Sequence, residues 1–173
     1  MKLAEVLEEE RKRKRPAHQY RKGIKFVKQG EKTSSVKQDH QGILCVSKSW
    51  EMNVDIGRRL VFPGIVQTTL RPDIVIWSME AKAIIVIELT VPWEEGCEEA
   101  YQRKKIKYTE LMEMCKERGW QTWLFPVEVG CRGYPARSLW KMCSMLGILG
   151  KSQKSAIKMM SEVAERTSCW IWH

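Results

Sequence analysis

The sequence predicts an α/β domain: a mixed sheet flanked by helices, with extra helices at the C-terminal end. Two observations carry this. Apolar runs of strand length (RPDIVIW, residues 71–77; Ala83–Val91; Trp120–Val129) alternate with longer segments of helical spacing. The run from Ala83 is almost continuously apolar, as in a strand buried on both faces. A chain of 173 residues, 43% of them hydrophobic, can bury one such core. The order reads helix, strand, strand, strand, helix, strand, then helices.

Residues 2–15 read as a helix with Leu3, Val6 and Leu7 on one side. Its acids come early and its bases late, which complements the helix dipole, and Pro16 stops it. Ile24–Lys28 alternates and suits a short strand, while the polar stretch 29–42 reads as a loop. Ser47 or Ser49 is placed to cap a helix running to about Arg58, with Trp50, Met52, Val54 and Ile56 turned inward. Leu60–Phe62 then reads as a first strand, broken by Pro63-Gly64, with RPDIVIW as the second and Ala83–Val91 as the third. After Pro92 a helix is expected from about Glu95 to Arg118, with Ala100, Ile106, Tyr108, Leu111, Met112 and Cys115 at roughly helical spacing and Gly119 as its stop. Trp120–Val129 reads as the fourth strand. Helices from Ala136 to about Leu146 and from Ser152 to about Trp170 finish the chain, and Trp170, Ile171 and Trp172 are expected to dock on the body. This divides the chain into a basic N-terminal helix and linker (1–42), an α/β core (43–150) and a packed C-terminal helix (151–173).

The longest apolar run is far too short to span a bilayer, and the N-terminal segment has no apolar signal-peptide centre. A nuclear or otherwise intracellular protein, not secreted and not membrane-bound, is therefore expected. The six cysteines show no CxxC pair and the three histidines lie near the ends or in the predicted loop, which favours buried free thiols over structural zinc. The net charge is +9, and residues 1–50 hold thirteen Lys and Arg against six Asp and Glu, a surplus of seven. Such asymmetry suits a polyanion partner, although the run Arg11–Arg15 alone is equally a solvated helix end or a nuclear-localisation-like patch.

Three residues stand out chemically: Asp73, Glu88 and Lys104. Asp73 opens a strand after Pro72, at a sheet edge where solvent reaches it; a plain turn aspartate has the same signature. Glu88 interrupts an apolar run, and a charge in a buried strand needs a partner, hydrogen bonds or a metal. The oxygens of Asp73 and Glu88, with the backbone carbonyl of Leu89, would suit Mg²⁺ or Mn²⁺, which polarises a phosphate and lowers the pKa of a bound water. Lys104 lies on the following helix, one turn from Tyr108, where it is either a solvated lysine or a cation placed to stabilise a pentavalent phosphate. Nucleic-acid contacts are expected from Arg71, Lys107, Tyr108, Arg132 and Arg137; the last two flank a glycine-bearing loop that is also readable as a tight turn. Glu51 and Asp55, four apart on the expected helix, read either as solvated acids or as acids that approach the metal, and Glu94, Glu95, Glu98 and Glu99 as helix-entry acids, one of which could be a further metal ligand.

At these residues the chain resembles the PD-(D/E)xK nuclease superfamily. Pro72-Asp73 matches the first half-motif, and Glu88-Leu89-Thr90 the second, with Thr90 where lysine usually stands. The likeness is closer to the restriction-like endonuclease domain of non-LTR retrotransposons, where the second half reads acid-x-Thr-Val and a lysine ahead of a Lys-Tyr pair on the next helix takes the missing role; here these are ELTV (88–91) and KKIKY (104–108). The stretch from about Gly42 to Gly150 also resembles C-terminal segments of reverse-transcriptase-like polyproteins through LRPD, ELTVPWEE, VEVGCRG and RSL. The resemblance implies a core of helix, three strands, helix, strand, and a Mg²⁺- or Mn²⁺-dependent DNA endonuclease that leaves a 5′-phosphate and a 3′-hydroxyl. Its partners would be DNA or the RNA–DNA intermediates of a mobile element, with a homodimer left open. Neither a reverse-transcriptase region nor the Cys/His knuckle that often precedes such endonucleases is present, which leaves a fragment, a detached copy or a domesticated gene as readings. Two other classes stay in view: a silent nucleic-acid-binding module that keeps the fold, and an interaction domain built on the Trp-rich C-terminal helix.

Overall fold

Hydrophobic burial on both faces of one strand organises this protein. A computed structural model describes residues 5–8 and 42–171. Its four-stranded sheet runs in the order β1 (Glu51–Val54), β2 (Ile74–Ser78), β3 (Ala83–Thr90) and β4 (Gln121–Glu128). β1 and β3 flank β2 antiparallel, and β3 and β4 are parallel. The parallel pair is joined by α1 (Cys97–Glu117), and α2 (Arg137–Leu146) and α3 (Gly150–Ile171) follow β4. The chain is thus α/β with a mixed sheet flanked by helices.

Ala83 to Ile87 have no exposed surface, because alternate side chains enter different cores. Ile85 and Ile87 meet Phe125, Val127, Leu139, Met142 and Ile157 on the side of α2 and α3. Ile84 and Val86 meet Tyr108, Leu111 and Cys115 of α1, with Leu60, Phe62, Ile65 and Val66 closing the same layer. Residues 5–8 are helical, with Leu7 buried and Val6 packed against the first core. Gly147 ends α2 in the left-handed conformation at φ +86, and its backbone is packed so closely on Gly42 that a Cβ at Gly42 would meet it at 2.2 Å.

Four expectations need correction. The segment after Ser49 is strand β1, not a helix: Met52 and Val54 are half-buried while Glu51 and Asn53 face outward, a period of two, and Met52 pairs with Ile76. Pairing with β2 outweighs the local capping signal, and Ser47 instead accepts hydrogen bonds from the Ser49 amide and the Ser78 hydroxyl. Leu60–Phe62 is not a strand, because β1 already occupies that edge of β2; Leu60 and Phe62 are buried from a loop, while Val61 is exposed. Trp170 does not dock and is 81% exposed. Only Cys115 and Cys143 of the six free cysteines are buried, and burial pushes both thiols up to about 11.

The histidines, Leu3, the basic run Arg11–Arg15, the expected strand at Ile24–Lys28, the loop up to residue 41 and Trp172 lie outside the described residues. Among the described residues no helix is long and apolar enough to cross a membrane.

The packing yields a direct test. Leu139, with no exposed surface, should lose about 2–5 kcal/mol of stability as Leu139→Ala. Trp170→Ala should stay within about 0.5 kcal/mol of the parent. Denaturant titration measures both, and equal losses would mean that Trp170 is packed after all.

Candidate active site

The antiparallel register carries two acids to one end of the sheet. Ile74 pairs with Ile87, so the next residues outward are Asp73 and Glu88 on adjacent strands. The two clasp each other through backbone. The Asp73 amide donates to Glu88 Oε2 at 3.2 Å, and the Leu89 amide donates to Asp73 Oδ2 at 2.6 Å. Glu88 shares the α1-facing side of β3 with Ile84 and Val86, and only 3% of its surface is exposed.

Helix α1 supplies the counter-charge. Lys104 Nζ lies 2.5 Å from Glu88 Oε1. One turn on, the fully buried Tyr108 donates its hydroxyl to Glu88 Oε2 at 2.8 Å, and the Arg71 carbonyl lies 3.2 Å from the Tyr108 hydroxyl oxygen. Lys107 donates to the Tyr108 oxygen at 3.0 Å and stands 3.7 Å from Glu88 Oε1. A carboxylate in such a place is held by charge-assisted hydrogen bonds on both oxygens. Burial pushes the Tyr108 hydroxyl far above the ordinary phenol range, and the Glu88 carboxylate raises it further. Burial also raises the Asp73 carboxyl; the Leu89 amide pulls it back, and Glu88 raises it again.

The structure therefore gathers Asp73, Glu88 and Lys104, with the Leu89 backbone beside them. It separates the residues expected to meet nucleic acid. Tyr108 is a correction: a ring with no exposed surface braces Glu88 and offers nothing to a phosphate backbone. Lys107 is half-exposed at the rim. Arg71 is exposed and donates to the Arg58 carbonyl at 2.6 Å. Arg132 and Arg137 are exposed beyond the end of β4, with the Arg132 guanidinium 5.7 Å above the Trp93 ring. Their loop is built against Glu94, which accepts the Arg132 amide at 2.9 Å; a Cβ on Gly130 would come within 2.9 Å of that carboxylate.

Two further acids lie near this end of the sheet: Asp55, offered by the sequence as an acid near the metal but on a helix, and Glu128, which sequence reading missed. Asp55 follows β1 directly, and its amide donates to the Asp73 carbonyl at 2.8 Å. Its charge raises Asp73, while its own Oδ1 accepts the Leu60 amide at 2.9 Å. The helix expected here paired Asp55 with Glu51; strand β1 instead sets Asp55 beside Asp73. Glu128 is 1% exposed at the end of β4, in register with Thr90. Its signal was available: an acid inside the apolar run WLFPVEV, the same feature that drew attention to Glu88.

Among the described residues no group of three or more His, Cys, Asp and Glu is gathered closely enough to hold a metal. Two carboxylates and a carbonyl still suit a small hard cation, which binds through one or two carboxylates and keeps several waters. Glu88 Oε1 already faces Lys104, so a cation there would share or displace that contact. No protein-family model matches the sequence, and no curated protein matches it.

Tyr108→Phe keeps the ring and removes the hydrogen bond to Glu88. Its expected loss is about 1.5–3 kcal/mol in denaturant unfolding at neutral pH. A loss under about 0.5 kcal/mol would show that the phenol does not hold the carboxylate.

Proposed function

We propose that the chain is a divalent-metal-dependent DNA endonuclease of the PD-(D/E)xK type, related to the restriction-like endonuclease domain of non-LTR retrotransposons. The observation that carries this reading is the convergence of Asp73, Glu88 and Lys104 at one end of the sheet, from two adjacent strands and the crossover helix. The order of three strands, helix and strand among the described residues supports it, as does the chain's net charge of +9.

In this reading Asp73, Glu88 and the Leu89 carbonyl would hold Mg²⁺ or Mn²⁺, which when bound polarises the scissile phosphate and acidifies water. Lys104 does the work of the lysine that Thr90 replaces. Its ammonium, carried by α1 over Glu88, stabilises negative charge developing on the phosphate or orients the attacking water. Tyr108 and the Asp73 amide fix Glu88 in one orientation, so little reorganisation is left for the reaction. In-line attack leaves a 5′-phosphate and a 3′-hydroxyl, as the resemblance implies. Arg71, Lys107, Arg132 and Arg137 are among the cations available for the DNA backbone, and their contribution should weaken with salt.

A second reading is a nucleic-acid-binding module without catalysis. The saturation of Glu88 favours it, because Lys104, Tyr108 and the Asp73 amide already satisfy both oxygens. Incubation of purified protein with supercoiled plasmid separates the two. The nuclease reading expects nicking with Mg²⁺ or Mn²⁺, none with EDTA, and a loss of 100-fold or more in Asp73→Ala, on the order of removing one transition-state-stabilising group. DNA retention in a low-salt gel shift without nicking would establish the binding module instead.

A further inference from the structure

Glu128 is a buried acid that the proposed chemistry does not use. Its surroundings are specific. The Ser138 hydroxyl, from the first turn of α2, accepts the Glu128 amide at 3.3 Å and donates its own hydrogen to Glu128 Oε2 at 2.6 Å. Oε2 is thereby an acceptor. With Ser138 as the donor, a proton carried by this carboxyl would reside on Oε1, and Oε1 is a buried atom without a hydrogen-bond partner. A second such orphan is Thr90 Oγ1. The two belong together by register: Thr90 and Glu128 are partners across the parallel β3–β4 pair, so their side chains leave the same face of the sheet. Two buried oxygens that leave one face of adjacent strands, each lacking a partner, would both be satisfied by a single bridging water.

The charged and titratable groups facing Glu128 do not favour its anion. From α1 these are Cys97 and Glu98; α2 contributes the Ser138 hydroxyl, and its Lys141 lines the neighbouring cavity with Ser138 and Pro126. No cation is paired with Glu128 among the described residues. Burial raises its carboxyl above the ordinary range, partly offset by the Ser138 hydrogen bond, and Glu98 raises it further.

We infer that Glu128 is a positioning residue whose carboxylic hydrogen, on Oε1, is shared through an enclosed water with the Thr90 hydroxyl. The consequence falls on the peptide between Leu89 and Thr90. That peptide carries the Leu89 carbonyl, the third candidate cation ligand, and follows directly on the peptide whose N–H, that of Leu89, holds Asp73. Anchoring Thr90 from β4 fixes the plane of that peptide. This last step rests on the nuclease reading; the hydrogen-bonded pair does not. An acid one strand away thus steadies the end of β3 where a threonine replaces the lysine usual at that position.

The test compares the 173-residue chain with Glu128→Gln, Glu128→Leu and Thr90→Val. Glutamine reproduces the protonated acid: its oxygen accepts from Ser138 and its amide donates where Oε1–H did. Because the folded pKa of Glu128 is raised, its protonated form stabilises the fold, and that stability is lost as pH rises from the ordinary carboxylate value through the raised one. The melting temperature of Glu128→Gln should therefore gain on the parent as pH rises over that window. Glu128→Leu and Thr90→Val should each lower it, with less than additive effect together. In a calorimetric titration with Mn²⁺, Glu128→Leu and Thr90→Val should weaken binding by about 10- to 100-fold, the usual effect of removing outer support from a ligand, while Glu128→Gln retains it. Parallel parent and Glu128→Gln curves at every pH, or fully additive losses, would overturn the pairing. Absence of Mn²⁺ binding in the parent would refute the nuclease reading and the metal-positioning role, while the melting curves would still decide the pairing.

Discussion

A carboxylate with almost no contact to solvent sits where three elements meet, and the rest of the fold is arranged around it. Glu88 belongs to β3, receives the Asp73 amide from β2, and is met by Lys104 and Tyr108 of α1. A buried charge of this kind is tolerated only when paired and hydrogen-bonded. Removing one partner from a buried pair is more harmful than replacing the whole pair with apolar groups. The network therefore constrains the β2–β3 register and the docking of α1 together. A slip of one residue in β3 would turn Glu88 toward α2 and α3 and strand Lys104 and Tyr108 against isoleucine.

The same network explains why one cluster supports both a catalytic and a silent reading. A residue poised for chemistry is held still by its neighbours, and so is a residue that only pins a helix to a sheet. The difference lies in what remains free. Asp73 is half-buried and accepts the Leu89 amide through Oδ2, and burial together with neighbouring acids raises its carboxyl. A raised carboxyl among neighbouring acids at the end of a sheet marks a candidate functional site, and structural ion-pair networks produce the same shift. The parallel β3–β4 pair adds to it, because its crossover brings the Trp93–Glu94 connection and the Gly130–Tyr134 loop to this same end of the sheet.

How much of this was legible in the sequence follows from which signals are local. β2, β3, α1, β4 and the last two helices announced themselves by composition and period, because each buries a face whose pattern is written within it. β1 did not. Serines ahead of an apolar stretch are a fair helix start, and only the existence of β2 as a partner makes Met52 and Val54 strand residues. That single error also tied Asp55 to Glu51 on a helix face rather than to Asp73 on the neighbouring strand. Tyr108 was assigned to the nucleic-acid surface because helical spacing places it near Lys104, yet spacing gives the face and not the depth. Glu128 was passed over although it broke an apolar run as clearly as Glu88 did. The pairing of two orphaned oxygens across β3 and β4 depends on register, which a sequence does not state.

The central claim is that Asp73 and Glu88 together can hold a divalent cation despite the lysine already in place. Equilibrium dialysis of the parent and Asp73→Asn against Mn²⁺, at low salt and neutral pH, tests it without relying on catalysis. Saturable binding by the parent that disappears in Asp73→Asn is the predicted result. No binding by the parent, or equal binding by both proteins, would contradict it and leave Glu88 and Lys104 as a structural pair.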